Sequence, residues 1–329
     1  MKKRYLFAGL LLSTLAGCTQ TIYKERQCEE VCFADPTIIR ENGKYYLTGT
    51  GDNDPQGFVV LESSNLEEWH SVKGDSMLYI LKQGEHTFGD KGFWAPQWLK
   101  SGERYYLTYT ANEQTALAEA DSWQGPFMQT NVRPIDASEK NIDSFLFRDD
   151  DGKCYLYHVR FNHGNYIWVG EFDVQKGEIK PGTLKQCLAC TEPWESTANY
   201  VSDPIMEGPA VVKLEDTYYL FYSANHFMNI DYAVGYATAS SPAGPWKKYA
   251  GNPIIHRGIV GENGSGHGDV FAGENGNLYY VYHVHHSDSV VSPRKTRIVP
   301  LLLKKNKDGL FDISVDKNKV IRPVKTESL

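Results

Sequence analysis

Residues Gly43-Lys-Tyr-Tyr46-Leu-Thr recur as Gly102-Glu-Arg-Tyr-Tyr106-Leu-Thr, Gly152-Lys-Cys-Tyr155-Leu-Tyr, Asp216-Thr-Tyr-Tyr219-Leu-Phe and Gly276-Asn-Leu-Tyr-Tyr280-Val-Tyr. Each is a turn residue followed by one or two aromatics and a run rich in Val, Thr, Tyr and Phe, which suits strands and not helices. The second aromatics stand 60, 49, 64 and 61 residues apart. Periods of that size, built of short strands and turns, mark a β-propeller with one repeat per blade. Ser122-Trp-Gln-Gly-Pro-Phe127 and Ser241-Pro-Ala-Gly-Pro-Trp246 echo each other after two of the hairpins. The expected fold is all-β, a five-bladed β-propeller of about four strands per blade, filling residues 31–329 as one domain.

Composition agrees. The 329 residues are 41% hydrophobic and 13% aromatic, with 21 Tyr, enough apolar surface for a core and too much for a disordered chain. The net charge of −7, with no Lys/Arg block in the body, excludes nucleic acid as the expected partner.

The first residues read as an address. Lys2, Lys3 and Arg4 precede an apolar run from Tyr5 to Leu12, and Leu15-Ala16-Gly17-Cys18 comes next. A basic start, a short apolar stretch and small residues describe a secretory signal over 1–17, too short for a permanent membrane span. The last four residues resemble the lipobox of bacterial lipoproteins, which implies lipidation of Cys18, a tether over 18–30 and an outer-membrane location, facing periplasm or medium. Membrane contact is then expected only through the lipid. Among the other cysteines, Cys28/Cys32 and Cys187/Cys190 are close pairs; in an exported protein a disulfide or buried thiols outweigh a zinc site. Cys154 occupies a position that holds Tyr in other repeats and reads as core packing.

Counting back eight or nine residues from each turn gives Asp35, Trp94, Asp143, Glu207 and His267. A strand of about six residues plus a turn fits that interval, so each falls near the start of the innermost strand of its blade, where the blades meet on the axis. Three carboxylates brought together in a partly dry cavity push each other's pKa values apart. Glycoside hydrolysis needs that separation: one carboxyl protonated for the leaving group, another ionised to activate water.

These segments resemble glycoside hydrolase family 43. The resemblance rests on Phe33-Ala-Asp35-Pro-Thr-Ile, Phe93-Trp94-Ala-Pro96, Ile142-Asp143-Ser-Phe-Leu-Phe, Glu207-Gly-Pro209 and Gly266-His267-Gly-Asp-Val-Phe, in order through nearly the whole mature chain. It implies a five-bladed propeller that cleaves arabinose- or xylose-containing glycans with inversion. It also implies Asp35 as general base, Asp143 as the carboxylate that tunes and orients the acid, and Glu207 as general acid. No cofactor is implied for the chemistry, but a structural Ca²⁺ held by His267 through waters is.

Candidate substrate contacts are Phe33, on the same strand face as Asp35; Trp94, as a stacking platform; His226; and Arg294, from a region where family members place an arginine near the sugar. His283 and His285 share a strand face, but a hairpin with polar tips at the cleft explains them without a metal. Asp149-Asp150-Asp151-Gly152 lacks the spacing of a calcium loop and reads as an acidic turn.

The expected activity is that of an exo α-L-arabinofuranosidase on plant glycans such as arabinan or arabinoxylan, with β-D-xylosidase and endo-1,5-α-L-arabinanase as alternatives. A fructan-active enzyme on a related propeller fits poorly, because Ala34-Asp35-Pro36-Thr37, Ile142-Asp143-Ser144 and Glu207-Gly208 depart from its motifs. A non-catalytic glycan-binding lipoprotein would need no carboxylate trio.

Overall fold

The computed structural model describes residues 29–53, 56–73 and 76–326. The signal segment 1–17, Cys18 and most of the expected tether lie outside them. Glu29–Glu30, assigned to the tether by sequence, is already a strand, paired with Val324–Lys325. The domain therefore starts by residue 29.

The fold is all-β and a β-propeller. Five sheets succeed one another along the chain, and their innermost strands are Ala34–Glu41, Trp94–Ser101, Asn141–Arg148, Met206–Leu214 and Gly266–Ala272. Each innermost strand pairs antiparallel with the next strand, which carries the aromatic repeat. Four sheets hold four or more strands, as expected for blades. The second holds three, Trp94–Ser101, Arg104–Ala111 and Gln114–Ala120, with only an isolated Glu119–Met128 bridge beyond them, so the expectation of about four strands per blade fails there. The innermost strands pack in a closed ring, first on second through to fifth on first.

The paired tyrosines result from strand geometry. Successive side chains point to opposite faces, and each face of a blade packs on a different neighbour. Tyr45 meets Phe271 of the fifth sheet edge-on at 6.1 Å, and Tyr46 stacks at 3.6 Å on Trp123, just beyond the second sheet. One aromatic pair thus contributes to two inter-blade cores. The echo segments serve the same end, with Trp246 edge-on to Tyr157 at 6.3 Å. Cys154 is buried with Leu146, Leu156 and Phe172. Cys187 and Cys190 are free thiols.

Ring closure joins the two ends of the described chain. Glu29–Glu30 and Val324–Lys325 add to the outer edge of the first sheet, where Val324–Lys325 runs parallel to Glu68–Ser71. Arg297, fully buried in the fifth sheet, forks onto Glu262 at 2.7–3.1 Å and reaches Glu30 at 2.8 Å.

Candidate active site

All five innermost strands carry a bulge near their start, at Ala34/Thr37, Trp94/Gln97, Ile142/Phe145, Glu207/Ala210 and Gly266/Gly268. At each bulge one residue adopts positive φ: Asp35 (47°), Ala95 (46°), Asp143 (54°), Gly208 (58°) and His267 (42°). This conformation is unfavourable for every residue type but glycine, and such strain concentrates at functional sites. The bulge corrects the sequence alignment of the five positions. Asp35, Asp143 and His267 are equivalent, whereas Trp94 and Glu207 stand one residue earlier.

The bulges are held by side chains from the preceding blade. Side chains at the ends of the second strands, Thr50, Thr110, Ser223 and His283, accept the N–H of Ala95 (2.9 Å), Asp143 (3.0 Å), His267 (2.7 Å) and Asp35 (3.1 Å), respectively. The fifth register position is Val159, which cannot accept. There the Gly208 N–H instead serves the Asp143 carboxylate. Gly208 has to be glycine, since a Cβ would lie 2.8 Å from the His267 ring.

The three carboxylates and His267 are buried together at this point. Asp35 is the best-supported anion. Thr50 Oγ1 donates to its Oδ2 at 2.7 Å, Arg294 Nη1 donates to its Oδ1 at 3.2 Å, and His267 Nδ1 lies 3.3 Å away. Burial would raise its pKa, but the Arg294 charge, with His267, overrides that and holds it well below the usual carboxylate range. His283 Nδ1 comes within 3.4 Å of Asp35, but it accepts the Asp35 N–H and is therefore unprotonated. Burial holds its pKa down to about 4.

Glu207 is the opposite case. Burial, reinforced by the negative charge of Asp35, pushes it up to about 7, although Tyr232 donates to its Oε1 at 2.8 Å and Asn165 also binds it. Asp143 is raised well above the usual range by burial and then by the charges of Glu207 and Asp35. Glu207 and Asp143 therefore compete for protons as a pair. Two carboxyls of one cleft thus sit in opposite states near neutral pH, the arrangement general acid–base chemistry needs.

The other expected contacts divide. Arg294 is in the site. Trp94 is exposed, one residue before the bulge residue Ala95, and lies against Gly92. Phe33 is buried in a core with Ile38, Leu47 and Val281. His226 stacks on Tyr200 at 4.5 Å and on Phe227 at 4.7 Å. His285 Nε2 lies 2.8 Å from the Phe227 carbonyl, so it holds that loop and does not pair with His283 at a metal.

Sequence reading missed Thr50, Asp52 and Tyr232, and noted His283 without giving it a role in the site. A signal existed for Thr50, Thr110 and Ser223, each four residues after the second aromatic of its repeat.

A metal fits poorly. Asp143, Glu207 and His267 offer ligand atoms within 4.8 Å of one another, but a cation there would strip the proton that burial keeps on Glu207. The cavity that Asp35, Asp143 and His267 line with Thr37, Gln97, Ser144 and Asp269 holds about 20 Å³. That is room for about one water, not for the hydrated calcium implied by the resemblance.

A family model described as Glycosyl hydrolases family 43 matches residues 30–311. The chain is similar to a crystal structure described as an endo-1,4-β-xylanase from Bacteroides thetaiotaomicron (36% identity, TM-score 0.79, 91% of this chain and 99% of that one). It is also similar to a thermostable family-43 glycoside hydrolase (32% identity, TM-score 0.74, 91% and 95%). A curated β-D-galactofuranosidase of Aspergillus niger is 26% identical over 272 residues, which cover 76% of this chain and 73% of that protein. Three further curated relatives, named as xylosidases or xylosidase/arabinosidases, are longer, and the matches span 46%, 41% and 48% of them.

Proposed function

The chain belongs to glycosyl hydrolases family 43 and is a glycoside hydrolase, and from that premise we propose that it removes terminal α-L-arabinofuranosyl units from plant glycans with inversion. The single observation that carries the mechanism is the opposed state of two buried carboxyls, Asp35 held ionised and Glu207 held protonated up to about 7.

In this reading Asp35 takes a proton from water as the oxygen attacks the anomeric carbon. Glu207 gives its proton to the departing glycosidic oxygen. Asp143 orients the acid, competes with it for protons and accepts the Gly208 N–H that anchors that turn. The carboxyls supply both proton transfers, so the chemistry needs no cofactor. The closed contacts among five innermost strands support five blades, the second a short one.

The second reading, a β-D-xyloside-cleaving enzyme, is favoured by the xylanase description of the structure 36% identical to this chain. An endo-acting arabinanase is a third, after the relative of that name in Bacillus subtilis. From the lipobox-like Leu15-Ala16-Gly17-Cys18 we also infer an outer-membrane lipoprotein that meets arabinan or arabinoxylan fragments outside the cytoplasm.

A panel of 4-nitrophenyl pentosides and linear arabinan, with proton NMR of the first anomer formed, tests the reading. The expected result is fastest release from the α-L-arabinofuranoside with the β-anomer appearing first. Arabino-oligosaccharides from the polymer would overturn the exo assignment, and product retaining its configuration would overturn the mechanism. On an oligosaccharide or other substrate with a poor leaving group, Asp35→Ala and Glu207→Ala are expected to abolish turnover and still fold; activity in both would sink the site.

A further inference from the structure

Asp52 lies two residues beyond Thr50, in the loop that leaves the second strand of the first sheet. Its carboxylate grips Arg294 at three points. The Arg294 backbone N–H donates to Oδ2 at 2.8 Å, Nε to Oδ2 at 3.3 Å and Nη2 to Oδ1 at 2.8 Å. A guanidinium is planar and offers its donors in a fixed fork. With Nε and Nη2 committed to Asp52, the direction of Nη1 is set, and Nη1 is the atom that reaches Asp35 Oδ1 at 3.2 Å. The guanidinium also lies over the Phe227 ring, 4.8 Å from its centroid, which limits tilting out of the plane. Arg294 and Asp52 are both largely buried, and the pair spans 242 residues of sequence.

We propose that Asp52 is a positioning residue for hydrolysis: it aims Arg294 Nη1 at the base carboxylate and so fixes where the attacking water is activated. Asp52 touches neither sugar nor Asp35 in this role; it acts through Arg294. One strand end therefore delivers two devices to the same carboxylate, Thr50 directly on Oδ2 and Asp52 through the arginine on Oδ1. Asparagine at position 52 would keep one acceptor oxygen and turn an NH₂ toward one tooth of the fork, releasing the guanidinium from its fixed orientation.

The inference rests on Asp35 as the base, and the experiment separates the two. Steady-state kinetics on the fastest-cleaved 4-nitrophenyl glycoside are measured for the wild type, Asp52→Asn, Arg294→Ala, the double variant and Asp35→Ala. Asp52→Asn is expected to lower kcat by about 10–100-fold, the scale of misplacing a reacting group by about 1 Å, with KM within about threefold. In the Arg294→Ala background the same substitution is expected to change kcat by less than about twofold, because its effect needs the arginine.

Equal losses in both backgrounds, or a loss in KM alone, would overturn the positioning role. If Asp52→Asn only lowers Tm and kcat is kept, Asp52 is a structural residue and the proposal fails. An inactive Asp35→Ala beside an unaffected Asp52→Asn leaves the base assignment standing and sinks this inference alone. Turnover retained in Asp35→Ala sinks both.

Discussion

Removing one hydroxyl should move the pH dependence of this enzyme upward. Tyr232 is fully buried, stacks on His283 at 5.6 Å and donates to Glu207 Oε1 at 2.8 Å. The ring fits because Gly266 lacks a side chain; a Cβ there would come within 2.3 Å of it. The hydrogen bond favours the ionised form of Glu207 and partly offsets the burial that raises its pKa to about 7. In Tyr232→Phe the packing stays and that offset is lost. A hydrogen bond to a charged group is worth about 1.5–3 kcal/mol, and part of it persists with the protonated acid. The net loss corresponds to roughly one pH unit at 1.36 kcal/mol per unit. With Glu207 as the proposed acid, active when protonated, the alkaline limb of kcat/KM should move from near 7 upward by about one unit. The assay needs a poor leaving group, such as an unsubstituted phenyl glycoside or an oligosaccharide, because nitrophenolate departs with little help from an acid. The shift has a stability sign as well. A carboxyl with a folded pKa above its unfolded value of 4.5 makes the native state bind more protons, so stability declines as pH rises from 4.5 through about 7. Tyr232→Phe should extend that decline to higher pH. An alkaline limb that stays put or moves down would refute the assignment of Glu207 as the acid that Tyr232 tunes.

Thr50→Val keeps the shape of the side chain and removes its donation to Asp35 Oδ2 and its acceptance of the Ala95 N–H. It is expected to lower kcat/KM about tenfold and to cost about 1–3 kcal/mol in urea unfolding, with Thr50→Ser restoring both; a variant that loses neither would show that the strand-end cap is idle. Arg297→Ala should destabilise by about 2–4 kcal/mol, because Glu262 and Glu30 lose their buried partner where the ring closes. Its kcat/KM, measured well below Tm, should stay within about twofold, and an unchanged Tm would argue against that closure.

The hairpins were legible in the sequence because a period-two pattern and a turn are local properties, and five copies at similar spacing can be counted without a structure. Asp35, Asp143 and Glu207 were legible for the same reason, as odd residues at a regular distance from each turn. Their alignment was not. A bulge inserts a residue without changing composition, so the one-residue offset of Glu207 and Trp94 from Asp35, Asp143 and His267 appears only in the pairing register. The three-stranded second sheet was likewise hidden, since the chain after Gln114–Ala120 returns to it through a single bridge, Glu119 to Met128.

What the sequence by itself determined is the inventory: a repeated all-β chain with three carboxylates and a histidine near the start of the innermost strands. Tertiary structure alone decided what those carboxylates are. Asp35 is an anion because Arg294, His267 and Thr50 converge on it, and its N–H is held by a histidine 248 residues away. Glu207 keeps a proton because burial deprives it of water beside a like charge. Both states depend on distances between blades. Those distances exist only once the ring has closed and brought first sheet against fifth.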